Sequence, residues 1–293
     1  FNARNCYEMR FAATYADSLT TVNIGDSVKI IPDLSFSNCD HLTYVNMGNS
    51  VEVIGYNAFT DCFNLRSITI PTSVDSVADG GFSLCNGLLT VNYNARNCKT
   101  NSMFSAINSI TTVNIGSEVE KIPGLTFMCC GGLMTVNFFN SSCIIGPQAF
   151  LDCYALSNLN LGDSVTIIDS SAFLNCYGLT NLTIPNSVTK LNQAAFYNCN
   201  GLTSIISFVA TPPLIDTFTF LGVNHNIPIY VPCNSVSQYQ SAQYWSNFTN
   251  IQGIGITTNI IDSVAQGNTY NQYGFNETTA GVYTQNLQTI NGC

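Results

Sequence analysis

Apolar residues recur along this chain at a fixed interval. Phe36, Phe59, Phe82, Phe104, Phe127, Phe150, Phe173 and Phe196 follow one another every 23 residues, once every 22. Three residues after each stands a cysteine (Cys39, Cys62, Cys85, Cys130, Cys153, Cys176, Cys199), with Ile107 in its place once. Three further on stands Leu or Ile, from Leu42 to Leu202. From that point the pattern shortens to an alternation. Leu65-x-x-Ile68-x-Ile70 predicts a short half-buried strand. Pro71 then removes a backbone donor and ends it, a place taken by Gly48, Gly116 or Gly162 in other units. A second apolar pair follows, such as Val51 and Ile54 or Val74 and Val77. Each unit thus offers about six inward side chains, too few to bury alone, so copies must stack. The prediction is a mainly β repeat solenoid over residues 1–208, right-handed by the crossover preference of parallel strands. Its strands should form one parallel sheet along one side, spaced about 4.8 Å apart.

The unit Ala-Phe-x-x-Cys-x-x-Leu-x-x-Ile-x-Ile-Pro-x-Ser-Val-x-x-Ile resembles the BspA-like leucine-rich-repeat family of bacterial and protist surface proteins. Ala149-Phe150 to Ile168 and Ala172-Phe173 to Leu191 carry it most closely, and the likeness runs from about Ala13 to Phe208. Two units depart from the pattern. Tyr93-Asn-Ala-Arg-Asn-Cys98 and Phe138-Phe-Asn-Ser-Ser-Cys143 stand where the Ser-Val turn belongs. Phe1-Asn-Ala-Arg-Asn-Cys6 echoes the first of these, so the chain is expected to open inside a coil with more protein ahead of it. The resemblance implies a leucine-rich-repeat solenoid, a surface or extracellular location and an adhesive role.

Past Phe208 the character changes. Phe218 keeps the phenylalanine interval, and the segment from Ile229 to Phe248 reads as a strand followed by an aromatic amphipathic helix. Val236, Tyr239, Tyr244 and Trp245 are placed to cover the open end of the last coil, as the terminus of a solenoid requires. Residues 209–252 therefore read as a C-terminal cap, which the family also commonly has. Residues 253–293 read as a β-rich linker, and Gly281 to Cys293 is similar to the start of small β-modules in long bacterial surface proteins.

Charge narrows the function. Eight Lys and Arg against 17 Asp and Glu give a net charge of −9, and no Lys or Arg follows Lys190. Nucleic acid needs a basic footprint and is excluded as a partner. No apolar run is long enough to span a membrane, so no insertion is expected of this segment. The 13 cysteines suggest a disulfide framework, but seven share one slot of the repeat. Stacked copies would hold their Cα–Cβ vectors parallel about 5 Å apart, unsuited to a bridge. They are expected to be buried thiols. Cys129-Cys130 lies next to no histidine and lacks zinc-ligand spacing. His41 and His225 are far apart in sequence, and no acid, base or nucleophile converges. No catalytic residue, cofactor or metal is expected.

The strand positions facing away from the core are the candidate binding face. Their middle row reads Asn23, Asn46, Thr69, Asn92, Asn114, Asn137, Asn160 and Thr183, with Tyr44 and Phe139 as isolated aromatics nearby. Such a row either bonds to itself and stabilises the stack, or presents an uncharged surface to a partner. Tyr44, Asn46, Asn92, Asn114, Asn137, Phe139 and Asn160 are the candidates. The irregular loops at Tyr93–Phe104 and Phe138–Pro147 are the alternative location. The expected function is non-catalytic recognition or adhesion through a protein partner, such as a matrix or surface protein. The alternatives are a carbohydrate-binding module and an inert spacer within a larger surface protein.

Overall fold

The computed structural model describes residues 18–139, 142–163 and 165–254, together with the strands at 258–264 and 281–287. The predicted half-coil at Phe1–Cys6 lies outside them. Strands form where the Leu and Ile spacing places them, including Tyr44–Asn46, Ser67–Ile70, Thr90–Tyr93, Thr112–Ile115, Thr135–Phe138 and Asn181–Ile184. They pair in parallel, coil upon coil, with Thr69 opposite Asn92, Asn92 opposite Asn114 and Asn114 opposite Asn137. The result is a mostly β parallel solenoid.

Its second side is also a sheet, which the sequence did not predict. In most coils a short strand ends on the second residue of the second apolar pair. Ile30–Ile31, Val53–Ile54 and Ser76–Val77 form one parallel group, and Lys121–Ile122, Cys143–Ile145, Val165–Ile168 and Lys190–Leu191 another. The break falls in the coil that begins at Phe82, where the Thr100 hydroxyl accepts the Val77 N–H at 2.8 Å in place of a backbone carbonyl.

The third side turns without helices. Two residues before and two after each ladder phenylalanine, the backbone is left-handed, as at Leu34 and Asn38 around Phe36 and at Asn57 and Asp61 around Phe59. Between these turns the N–H groups of Leu34, Phe36 and Asn38 donate to the carbonyls of Tyr56, Ala58 and Thr60 one coil on. A side chain in this conformation costs roughly 1–2 kcal/mol, offset here by hydrogen bonds that repeat up the stack. Asn and Asp, which tolerate it best, recur at the second position: Asn38, Asp61, Asp152, Asn175, Asn198.

The core is layered. The phenylalanine rings stack along the axis with centroids 5.0 to 5.6 Å apart. From Cys62 onward each ladder thiol points at the carbonyl of the phenylalanine in the preceding coil, as in Cys85 Sγ to Phe59 O at 3.0 Å and Cys199 Sγ to Phe173 O at 3.1 Å. Cysteine therefore fits this slot as a small apolar side chain that carries a weak donor. Burial pushes the Cys39 thiol up to about 11, helped by Asp40, and the Cys130 thiol up to about 12. Cys233, outside the ladder, is disulfide-bonded.

The two irregular coils are explained by packing. Tyr93 and Phe138 occupy the inward strand-end position held elsewhere by Ile70 and Ile115, and both are buried. One extra residue then carries the chain around the larger ring, and Cys98 or Cys143 replaces the valine seen at Val74 and Val119. A larger ring is matched by a smaller neighbour, which conserves core volume.

Parallel stacking continues past residue 208. Ile229–Pro232 pairs with Ser204–Ser207, and Ile251–Ile254 pairs with Ile229–Pro232. The ring that extends the ladder is Phe220, 5.6 Å from Phe196, and not Phe218, which is exposed. The proline-containing stretch before it lengthens this coil to 24 residues. Thr219 takes the alanine slot and accepts the Phe196 N–H, while Gly222 takes the left-handed turn position. A one-and-a-half-turn helix, Val236–Ser241, then brings Tyr239 and Trp245 over the end of the stack. Phe248 completes this cluster, whereas Tyr244 is a half-exposed turn residue with φ 67°. In the tail, Thr258–Val264 and Gly281–Leu287 pair antiparallel.

Candidate functional site

Parallel register brings the candidate asparagines into one row on the open face of the long sheet, since alternate residues of a strand share a side. Along the middle of the stack that row bonds to itself. The Asn92 amide donates to Thr69 Oγ1 at 3.3 Å, Asn114 to Asn92 Oδ1 at 2.9 Å, and Asn137 to Asn114 Oδ1 at 3.0 Å. All three asparagines are half-buried. Asn160 leaves the row, its Oδ1 accepting the Gly162 N–H at 3.2 Å. Phe139 is 53% exposed, several coils from Tyr44, and the two aromatics are not brought together.

The N-terminal coils differ. Asn46 is exposed and stays outside the bonded row. Two shallow depressions meet at it. One of about 290 Å³ is lined by Tyr44, Asn46, Ser67, Thr69, Thr72 and Asn94 among others. The other, about 400 Å³, lies across Asn23, Asp26, Asn46 and Asn49. Tyr44, 52% exposed, stands at the edge of the first. Lys29 pairs with Glu52 on the next coil, and Asp26, whose Oδ1 accepts the Asn49 N–H at 2.9 Å, is the one carboxylate lining these depressions, among amides, hydroxyls and one phenol. Of the seven candidates, then, three form a structural ladder, two share a depression, and two stand apart.

The irregular loops present less than their sequence suggests. Tyr93, Ala95, Cys98, Phe138 and Cys143 are all turned inward, and residues 140 and 141 fall outside the described residues. The Tyr93 hydroxyl is buried and makes no hydrogen bond of good geometry, lying beside the Cys98 thiol. Among the described residues no group of three His, Cys, Asp or Glu converges as a metal site, and no helix is long and apolar enough to cross a membrane. A surface that the sequence reading passed over is an exposed stacked pair, Tyr154 and Tyr177, with centroids 5.5 Å apart. Its signal was legible: they are tyrosines in consecutive repeats, at a position that elsewhere holds mostly Asn, Asp or Gly.

The sequence profile of the BspA type leucine rich repeat region matches residues 9–134 and 120–244, in six copies. A comparison with curated proteins finds no match. Among crystal structures, a leucine-rich repeat protein from Bacteroides ovatus shares the fold at 24% identity and a TM-score of 0.51, over 80% of this chain and 61% of that one. The present chain thus spans under two thirds of the length of that relative. The pneumococcal vaccine antigen PcpA aligns at 18% identity and a TM-score of 0.44, over 81% of this chain and 68% of that one. A leucine rich cell surface protein from Faecalibacterium prausnitzii aligns at 21% and 0.34, over 84% and 82%. With its repeats matched across most of its length, the chain belongs to the BspA-type leucine-rich-repeat family.

Proposed function

We propose that this chain is a non-catalytic recognition module of a surface-displayed or secreted protein, binding a protein partner at the N-terminal end of its open sheet face. The observation that carries the reading is the contrast within one row of asparagines. Asn92, Asn114 and Asn137 spend their amides on one another. Asn46 keeps its amide for a partner, at the junction of two depressions and beside an exposed tyrosine. Tyrosine is a frequent anchor of protein interfaces, being rigid, amphipathic and low in conformational entropy. The extracellular setting is supported by the family resemblance and by the disulfide at Cys233, a bond that persists in oxidising compartments.

The test is surface plasmon resonance against immobilised fibronectin, fibrinogen, laminin and collagen. Tyr44→Ala and Asn46→Lys should each weaken the bound partner about tenfold or more. Asn160→Lys, five coils away, should leave it unchanged. Because Asp26 is the one charged group lining these depressions, raising the salt should alter affinity little. Binding that survives Tyr44→Ala combined with Asn46→Lys would overturn the assignment.

A further inference from the structure

We propose a second site on a different side of the solenoid, at the corner that follows the cysteine ladder. There Tyr154 and Tyr177 form a stacking platform for a neutral oligosaccharide. The residue after each ladder cysteine points outward at this corner. It is Asp40, Asn86, Asn108, Gly131 and Asn200 in five other coils and a lone exposed Phe63 in a sixth, so small or polar groups suffice to close the turn. Two tyrosines therefore add nothing that the turn requires. They are 48% and 41% exposed, and their rings lie parallel within 7° at 5.5 Å. Exposed aromatic area of this kind marks a contact surface.

The platform has an open end and a polar flank. The coil before Tyr154 carries Gly131, where an added Cβ would lie 3.7 Å from Tyr154 Cδ2. Glycine thus leaves the outer face of the Tyr154 ring uncovered. Across the vacant rung sits Asn108, whose Oδ1 accepts the Gly131 N–H at 2.9 Å. Along one flank runs a second row. The Asn198 amide donates to Asn175 Oδ1 at 3.0 Å, and Asn175 to Asp152 Oδ1 at 2.7 Å. The Cys129 thiol lies 3.8 Å from Asp152 Oδ2. The Tyr154 hydroxyl also interacts with this carboxylate, and since a carboxylate offers about four acceptor sites, Asp152 keeps room for about one further hydroxyl donor. On the other flank Ala155, Gly178 and Gly201 keep the strip low.

These features select the ligand. The carboxylate, with no Lys or Arg in either row, repels an acidic sugar or a phosphate. A neutral pyranose can lay its C–H face on the electron-rich ring face and donate hydroxyl protons to Asp152 and the asparagine oxygens. The strip is narrow and runs along the stack, which suits an extended saccharide. A stable protein interface needs about 800 Å² per partner. The platform lies about five coils, roughly 24 Å, along the stack from Tyr44, so the two sites can be separated by mutation.

The experiment is isothermal titration of the whole chain with cellohexaose, chitohexaose, laminarihexaose and mannohexaose, with a proline-rich decapeptide as the competing ligand class. At least one neutral hexasaccharide should bind. Tyr154→Ala with Tyr177→Ala should reduce that affinity about tenfold or more, with the unfolding midpoint unchanged. Tyr44→Ala should leave it intact. Absence of binding by all four saccharides, binding of the peptide alone, or saccharide binding undiminished in the double variant would each overturn the proposal. Loss of saccharide binding in Tyr44→Ala alone would also overturn it, by placing the sugar on the sheet face.

Discussion

Trp245 closes the end of the stack, and its replacement measures how firmly the cap is coupled to the last coils. The ring is 1% exposed. It lies 5.5 Å from Phe220, the last ring of the phenylalanine ladder, and packs edge-on against Tyr239 at 5.1 Å. Its indole N–H donates to the Pro213 carbonyl at 2.9 Å. Tyr239 in turn shares a hydrogen bond with Ser207 Oγ at 2.7 Å and donates to the Val209 carbonyl at 2.9 Å. Emptying a buried tryptophan site costs about 3–5 kcal/mol, and an unpaired buried carbonyl adds about 1–3 kcal/mol. At the end of a solenoid, however, water can reach the opened carbonyl. We therefore expect Trp245→Ala to cost about 4 kcal/mol, and Trp245→Phe, which keeps most of the packing, about 1–2 kcal/mol. Urea unfolding followed by far-UV circular dichroism reports the global effect. Amide exchange should show the loss beginning in residues 196–254, because neighbours in a stack support only one another. As the sole tryptophan, Trp245 also reports cap opening in the parent protein by its own fluorescence. A Trp245→Ala variant within about 0.5 kcal/mol of the parent would refute the coupling and free this ring for a role in binding.

Two further predictions concern the interior. The ladder thiols should resist alkylation in the native protein at pH 8, and at least seven should titrate once it is denatured without reductant; a count near one would mean that disulfides dominate. Because burial raises the folded-state value to about 11 for Cys39 and about 12 for Cys130, the native state holds protons that the unfolded chain has released above the ordinary thiol pKa of about 8.5. This stabilisation is complete below that pH and lost as pH rises through 11 to 12. Melting temperatures measured upward from pH 8 should fall accordingly, and a flat profile would contradict the assignment. Tyr93→Phe should stabilise the protein by about 1 kcal/mol by removing a buried hydroxyl that lacks a well-formed hydrogen bond. Destabilisation measured by the same urea titration would show that the hydroxyl's contact with the Cys98 thiol is productive.

The repeat was legible because each position of a coil is filled many times, so Phe36 to Phe196 and Cys39 to Cys199 reinforce one another as evidence. What the spacing could not show is where a single coil changes its length. Phe218 satisfies the interval, yet the lengthened coil moves Phe220 into the ladder and turns Phe218 out to solvent. The departures at Tyr93 and Phe138 were visible as departures, but their cause was not. A larger ring, an extra residue and a valine-to-cysteine exchange make sense only when three sides of one coil are seen together. The same limit governs the surface. A row of asparagines looks uniform in sequence, and whether each amide faces a neighbour or solvent depends on the rung above and below. Asn92, Asn114 and Asn137 bond to one another and to Thr69 and close a ladder, while Asn46, although in register with Asn23, stays outside it and sits where two depressions meet. Regularity therefore reads as scaffold, and the two proposed sites fall where the repeat supplies an exposed aromatic ring that its own coil does not require. Tyr44 meets that criterion on the sheet face, and the Tyr154–Tyr177 pair meets it at the corner, since Gly131 and Asn200 show that the turn closes without an aromatic ring.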